Sequence, residues 1–183
     1  MIFPRFSCSL LGLCLFTPAF LTQAAEPEVT WPPGWEIEAT PVAPDAPAQA
    51  SEQLRQRAVK NDQAGNPLMV MELTQTRLTP GHEVNVQGVL LEMRKAVQVN
   101  FARSGLQSAC TPVRATTLST VPALETTCSI TQNGVHVLTQ TLVAAASKEL
   151  AWSLSYAGSA QGYAANKEEA LRIRESLKLP SAP

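Results

Sequence analysis

The stretch Leu124–Tyr156, LETTCSITQNGVHVLTQTLVAAASKELAWSLSY, decides how the rest of the chain is read. Asn133-Gly134 stands between two runs of alternating apolar and polar residues, and a two-residue type I′ turn needs the positive φ that Asn and Gly tolerate best. A hairpin folded there sets Ile130 opposite Val137, Cys128 opposite Thr139 and Leu124 opposite Val143. A second turn at Ser147-Lys148 brings Trp152 opposite Val143, Leu154 opposite Thr141 and Tyr156 opposite Thr139. Side chains alternate between faces along a strand, so Leu124, Cys128, Ile130, Val135, Val137, Val143, Trp152, Leu154 and Tyr156 are expected on one face of an antiparallel meander. The other face is more polar, although Leu138 and Leu142 indicate that it too is partly covered.

Upstream of the meander the period turns helical. Val86, Leu90, Met93, Val97 and Phe101 form one stripe between Glu83 and Ser104, widened by Val89 and Ala96. Gly105 is placed to end this helix as a left-handed cap. Gly88, inside it, is expected to permit close approach to the sheet, and Glu83 to complement the helix dipole. Cys110–Leu118 reads as extended, since Thr111-Pro112 excludes helix, and Val121-Pro122 marks the turn into the meander. Before the helix, Pro67–Leu78 alternates as a strand, and Asp62–Asn66 (DQAGN) is a turn. Ser51–Asn61 fits either a short helix or the hairpin partner of that strand; the hairpin suits the turn better. The proline-spaced segment Pro41–Gln49 is a surface loop. Thr30–Thr40, TWPPGWEIEAT, is a stiffened entry into a short strand with Trp35 and Ile37 inward. Trp31 and Trp35 either form an aromatic binding platform or close the edge of the core, and closure is the plainer reading. Past Tyr156, AGSAQGYAA reads as a small-residue linker. Asn166 then opens a final helix with Glu169 completing a capping box, and Ala170, Ile173 and Leu177 form its inner stripe.

The N-terminus reads as a leader. Arg5 precedes an apolar run from Leu10 to Leu21 and small residues Ala24 and Ala25, the pattern of a secretory signal peptide cut after one or the other. The run is well short of the roughly 20 residues a spanning helix needs, so no stable membrane insertion is expected after cleavage. Cys14 follows Leu13 where a lipobox needs a small residue, and Cys8 comes too early, so lipidation is not expected. The domain assignment is 1–25 signal peptide, 26–179 one globular domain and 180–183 a loose tail.

The chain has 183 residues, 45% hydrophobic and 16% charged, which suits one domain. Its net charge of −1 with scattered Lys and Arg lacks the basic footprint of a nucleic-acid binder. Catalytic signatures are equally thin. The only histidines are His82 and His136, too few for a zinc site without other ligands. Gly158-Ser159-Ala160-Gln161-Gly162 places its serine second, where a nucleophile elbow needs it third, and no phosphate-binding glycine motif is present. No cofactor or metal is expected.

With the elements placed, WSLSYAGSAQGYAANKEEALRIRESLKL resembles the end of PsbP-like domains. That group includes an extrinsic photosystem II subunit, a Ran-binding nuclear-transport protein and bacterial envelope lipoproteins. The WPxGWE opening at Trp31–Glu36 and the RKAVQ helix at Arg94–Gln98 resemble a family of small exported proteobacterial proteins of unknown function. The resemblance implies an α+β fold: an antiparallel sheet of about six strands with one long central helix and a C-terminal helix. It also implies action by binding other proteins.

The expected function is therefore a periplasmic or secreted accessory protein that binds an envelope protein of unknown identity. The alternative is a small envelope hydrolase using His82 or His136 with Ser155 or Ser159. Cys110 and Cys128 remain after the leader is removed, and an oxidising compartment favours a disulfide between them.

Overall fold

A computed structural model describes residues 25–38 and 53–180. The expected leader up to Ala24, the expected loop Pro41–Gln49 and the last three residues of the expected tail lie outside the described residues. Among the described residues, eight strands and two helices follow one another as β1 (Trp35–Glu38), β2 (Gln53–Asn61), β3 (Pro67–Arg77), α1 (Val86–Arg103), β4 (Gln107–Cys110), β5 (Arg114–Leu118), β6 (Val121–Gln132), β7 (Val135–Ala146), β8 (Leu150–Ser159) and α2 (Ala160–Ser176). They form one antiparallel sheet in the order β1-β2-β3-β8-β7-β6-β4, with β5 also paired to β6. The strand count exceeds the expected six partly because Thr111-Pro112 breaks the extended Cys110–Leu118 region into β4 and β5, which pair with successive parts of β6.

The Asn133-Gly134 turn is as expected, with φ of 50° and 78°. Next to it Gln132 pairs Val135 and Thr131 pairs His136, the expected register. A bulge then inserts Val137, and beyond it Ile130 pairs Leu138, Cys128 pairs Gln140 and Leu124 pairs Ala144. One extra residue flips every later side chain of a strand relative to its neighbour. Leu124, Cys128 and Ile130 therefore share a face with Leu138, Leu142 and Ala144, not with Val143. At the second turn the error is two residues, so the partners change but the face does not. Val143 pairs Leu154, Thr141 pairs Tyr156 and Ala145 pairs Trp152.

The residues expected on one apolar face are thus divided between two faces, each with its own helix. Beneath α2 lie Met69, Met71, Leu73, Val143, Trp152, Leu154 and Tyr156, joined from the helix by Tyr163, Ala170 and Ile173 and from its C-cap by Leu177. On the other side Leu90 of α1 packs on Leu142 and Ala144, with Val86, Met93, Val97 and Leu124 around them. The run Leu142–Ala145 of β7 is buried throughout because it lies between the two helices. Neither helix is central; each flanks the sheet.

Local expectations fare unevenly. The α1 stop is as read: Gly105 has φ of 73°, and its N–H and that of Leu106 reach back to Ala102 and Phe101. Its start is later than Glu83, at the N-cap Asn85, whose side chain accepts from Gly88 N at 3.0 Å. The three atoms nearest a Cβ on Gly88 would all belong to Asn85, so the glycine serves the cap and not a close approach to the sheet. The turn into the meander is at Ser119, with φ of 53°, while Pro122 already lies in β6. Trp35 is 7% exposed but Ile37 is 64% exposed, because α2 and Trp31 reach only the first end of β1.

The largest correction is at α2. The supposed linker is the end of β8 and the first turn of the helix, capped by Ser159, whose Oγ accepts from Gly162 N at 3.0 Å. Asn166 is a buried interior residue that donates to the Gly162 carbonyl at 2.8 Å. The small residues are there because Gly158 and Gly162 both press on the Leu68 carbonyl of β3. A Cβ at either would stand 2.4 Å from that oxygen.

Candidate binding site

α1 packs over β4, β6 and β7, so among the described residues its side of the sheet is only half covered. Burial along the strands records this directly. On β3, Met69, Met71, Leu73 and Gln75 are buried under α2, whereas Leu68, Val70, Glu72, Thr74 and Thr76 on the α1 side are half-buried. On β8, Ala151, Ser153, Ser155 and Ala157 are half-buried in the same way. Directly beneath α1, by contrast, Leu142 is 2% and Ala144 1% exposed. Among the described residues no helix packs on β2, β3 and β8 on this side, although Val59 of β2, opposite Val70, is itself buried.

The result is a cleft with a small-residue, hydroxyl-bearing sheet as floor and α1 as wall. Val89 on that wall is 41% exposed. At one end Val84, Val86 and Val89 meet Ala144, Ala151 and Ser153 around a hollow of about 110 Å³. A wider one of about 500 Å³ continues from Val84 and Val86 to His82, Glu83, Ser147 and Lys148. Charges at the floor are internally matched: Arg55 pairs Glu72 at 2.5 Å, and Arg57 pairs Glu38.

On the opposite side a crevice of about 390 Å³ separates β5 from the end of α2. Glu125, 3% exposed, lies at its base between two arginines. Arg114 Nε donates to it at 2.6 Å and Arg174 Nη1 at 2.6 Å. Arg174 also donates to Thr116 Oγ1 at 2.7 Å and the Thr117 carbonyl at 2.8 Å. Burial works to raise the Glu125 carboxyl, but hydrogen bonds and charge from Arg174 and Arg114 outweigh it and hold the group below the usual glutamate range. Nearby, Tyr163 is pushed up to about 12 by burial, while its OH bonds Thr141 at 2.7 Å. These groups spend their hydrogen bonds on one another. The crevice is a latch between α2 and the meander. Sequence reading missed it, although Glu125 amid a strand of the meander and Arg174 inside the 170-173-177 stripe were its signals.

The candidate catalytic residues do not converge. His82 lines the wider hollow beside Ser147, but Ser147 Oγ is engaged with the Leu150 backbone at 3.2 Å, closing the turn. His136 Nε2 contacts Thr139 Oγ1 at 2.9 Å and the Leu138 carbonyl at 3.0 Å, both local. Ser159 is the α2 cap and Ser155 a residue of the cleft floor. Among the described residues no hydrogen bond joins either histidine to a serine, and no cluster of metal-binding side chains forms. Trp31 and Trp35 lie with ring centres 5.8 Å apart, and Trp35 Nε1 donates to Glu169 at 3.2 Å. Trp31 packs against the α2-side core, so the pair closes an edge. Cys110 and Cys128 are direct cross-strand partners with sulfurs at disulfide distance.

The whole stretch from residue 26 to 179, both helices and every strand included, matches the domain of unknown function DUF4946. The chain belongs to the DUF4946 family. No curated protein matches it. This DUF4946 domain is similar in fold to LpqN of Mycobacterium tuberculosis, a protein involved in cell envelope biogenesis, with a TM-score of 0.56, 17% identity and 88% of each chain covered. It is similar also to the cyanobacterial PsbP of Synechocystis sp. PCC 6803, with a TM-score of 0.56 and 11% identity over 96% of this chain and 98% of that one. A Bacteroides thetaiotaomicron protein matches at 0.51 and 10% identity, over 85% of this chain and 45% of its own. The fold is therefore PsbP-like, and at these identities the likeness is one of fold. No helix among the described residues of this DUF4946 chain is long and apolar enough to cross a membrane.

Proposed function

We propose that this DUF4946 protein is exported to the periplasm, or secreted, and acts there as a non-enzymatic accessory protein that binds another envelope protein in the cleft between α1 and the open half of the sheet. The observation that carries this reading is the half-covered sheet face. It offers a shallow apolar and hydroxyl-lined surface beside the exposed Val89, with the charges of its floor paired and its other titratable groups, His82, Glu83 and Lys148, confined to the wider end, where among the described residues no hydrogen bond joins His82 to a serine. Such a surface suits docking better than proton transfer, which needs an acid or base within hydrogen-bond reach of a substrate. The signal-like N-terminus, the Cys110–Cys128 pair and the fold shared with a cell-envelope biogenesis protein all support export and an envelope role.

Site-directed photo-crosslinking in cells tests it. A photoreactive residue at Ser153 or Thr74, on the cleft floor, is expected to give a discrete protein adduct. The same group at Arg172, on the outer side of α2, gives none. Equal labelling at the three positions, or no adduct at the cleft positions, counts against the reading.

A further inference from the structure

We propose that the leader is removed between Ala24 and Ala25, and that Ala25, the new N-terminal residue, is a docked part of the fold. The proposal rests on the export reading above.

Gln75 of β3 is only 2% exposed. Its Oε1 accepts from Trp152 Nε1 at 2.9 Å, and its amide nitrogen donates to the Ala25 carbonyl at 3.2 Å. A buried amide N–H is seldom left without a partner, and Ala25 supplies this one. From there residues 25–31 cross the α2 side of the sheet as a strap. Pro27 is buried and its carbonyl accepts from Gln56 Nε2 of β2 at 2.9 Å. Glu28 and Lys178 exchange two backbone hydrogen bonds of 3.0 Å. Val29 and Trp31 pack against the main core, and Trp31 meets Trp35 of β1.

Leader peptidases select small residues at the first and third positions before the bond. For Ala24-Ala25 those are Ala24 and Thr22. For Ala25-Glu26 they are Ala25 and Gln23, whose side chain is long. The second cut would also remove the carbonyl that Gln75 uses. The peptidase reads the chain before it folds, so Thr22-Gln23-Ala24 selects the bond. The bond it selects leaves the first anchoring residue among the described residues in place.

The test is to express the full chain with its own leader and identify the N-terminus of the periplasmic product by intact mass and N-terminal peptide sequencing. A start at Ala25 is expected. An exported product starting at Glu26, or elsewhere, overturns the proposal and leaves the export reading standing. A chain retained in the cytoplasm with its leader uncut overturns both. Docking is tested separately by removing Ala25 from the mature protein, which should lower the thermal midpoint. The same removal in a Gln75→Met background should have much less effect, because the partner is already gone. Equal losses in the two backgrounds, or none in either, overturn the docking.

Discussion

Glu125 is a carboxylate inside a strand, and its cost is met only by Arg114 and Arg174. Glu125→Gln removes the negative charge and leaves Arg174, 10% exposed at its side chain, without its counter-ion. Losing one partner of a buried pair is worth about 3 kcal/mol or more, read as a fall in the urea midpoint at pH 7. The pH dependence has a definite sign. The folded carboxyl titrates below its unfolded counterpart, so its stabilisation is present above the ordinary glutamate range and is lost as pH falls through the lowered folded value. Wild type should therefore lose more stability than Glu125→Gln between neutral and acid pH. The glycines under Leu68 make a second residue-scale prediction. Gly162→Ala in an isolated helix would gain about 1 kcal/mol. Here the new methyl stands 2.4 Å from a backbone oxygen that has no rotamer to give. Gly158→Ala and Gly162→Ala should each destabilise by about 1–3 kcal/mol in denaturant melts. Neither site was legible in the chain, because spacing along a sequence does not say which backbone will press on a glycine.

At the level of elements, the hairpin was legible and its far register was not. Asn133-Gly134 fixes the turn by backbone chemistry alone, whereas the bulge after Ile130 leaves no mark beyond an extra β-branched residue, Val137. Gly134→Val would force a branched side chain to a φ of 78° and should lower stability by more than about 1 kcal/mol, measured as a drop in thermal midpoint. The start of α2 was hidden for a different reason: its first turn contains Gly162 and small neighbours, which by propensity read as linker. Cys110 and Cys128 were legible as a pair by elimination, and β4 and β6 place them directly opposite each other. Protein recovered after the proposed export, denatured without reductant and alkylated, should carry no label on either. Because the bridge spans 18 residues of sequence, reduction should cost about 3 kcal/mol on the chain-entropy account.

For the whole molecule, the α+β class and the PsbP-like order of elements could be read from periodicity and resemblance, while the division of one apolar face into two could not. That division follows from the single inserted residue in β7, since it alone decides which helix each strand residue meets. With the larger core under α2 and the smaller under α1, protection should be graded. Native-state hydrogen exchange is expected to be slowest in β3, β8 and β7 and fastest in the edge strands β1, β4 and β5. The Glu28–Lys178 bridge has a consequence of another kind. It ties the beginning of the described fold to the residues just after α2, so the polypeptide path comes close to forming a ring. A circular permutant, with Pro180 joined to Ala25 by a short polar linker and new ends opened at the exposed Gln63-Ala64-Gly65 turn, would keep every strand pairing except the closure of one hairpin.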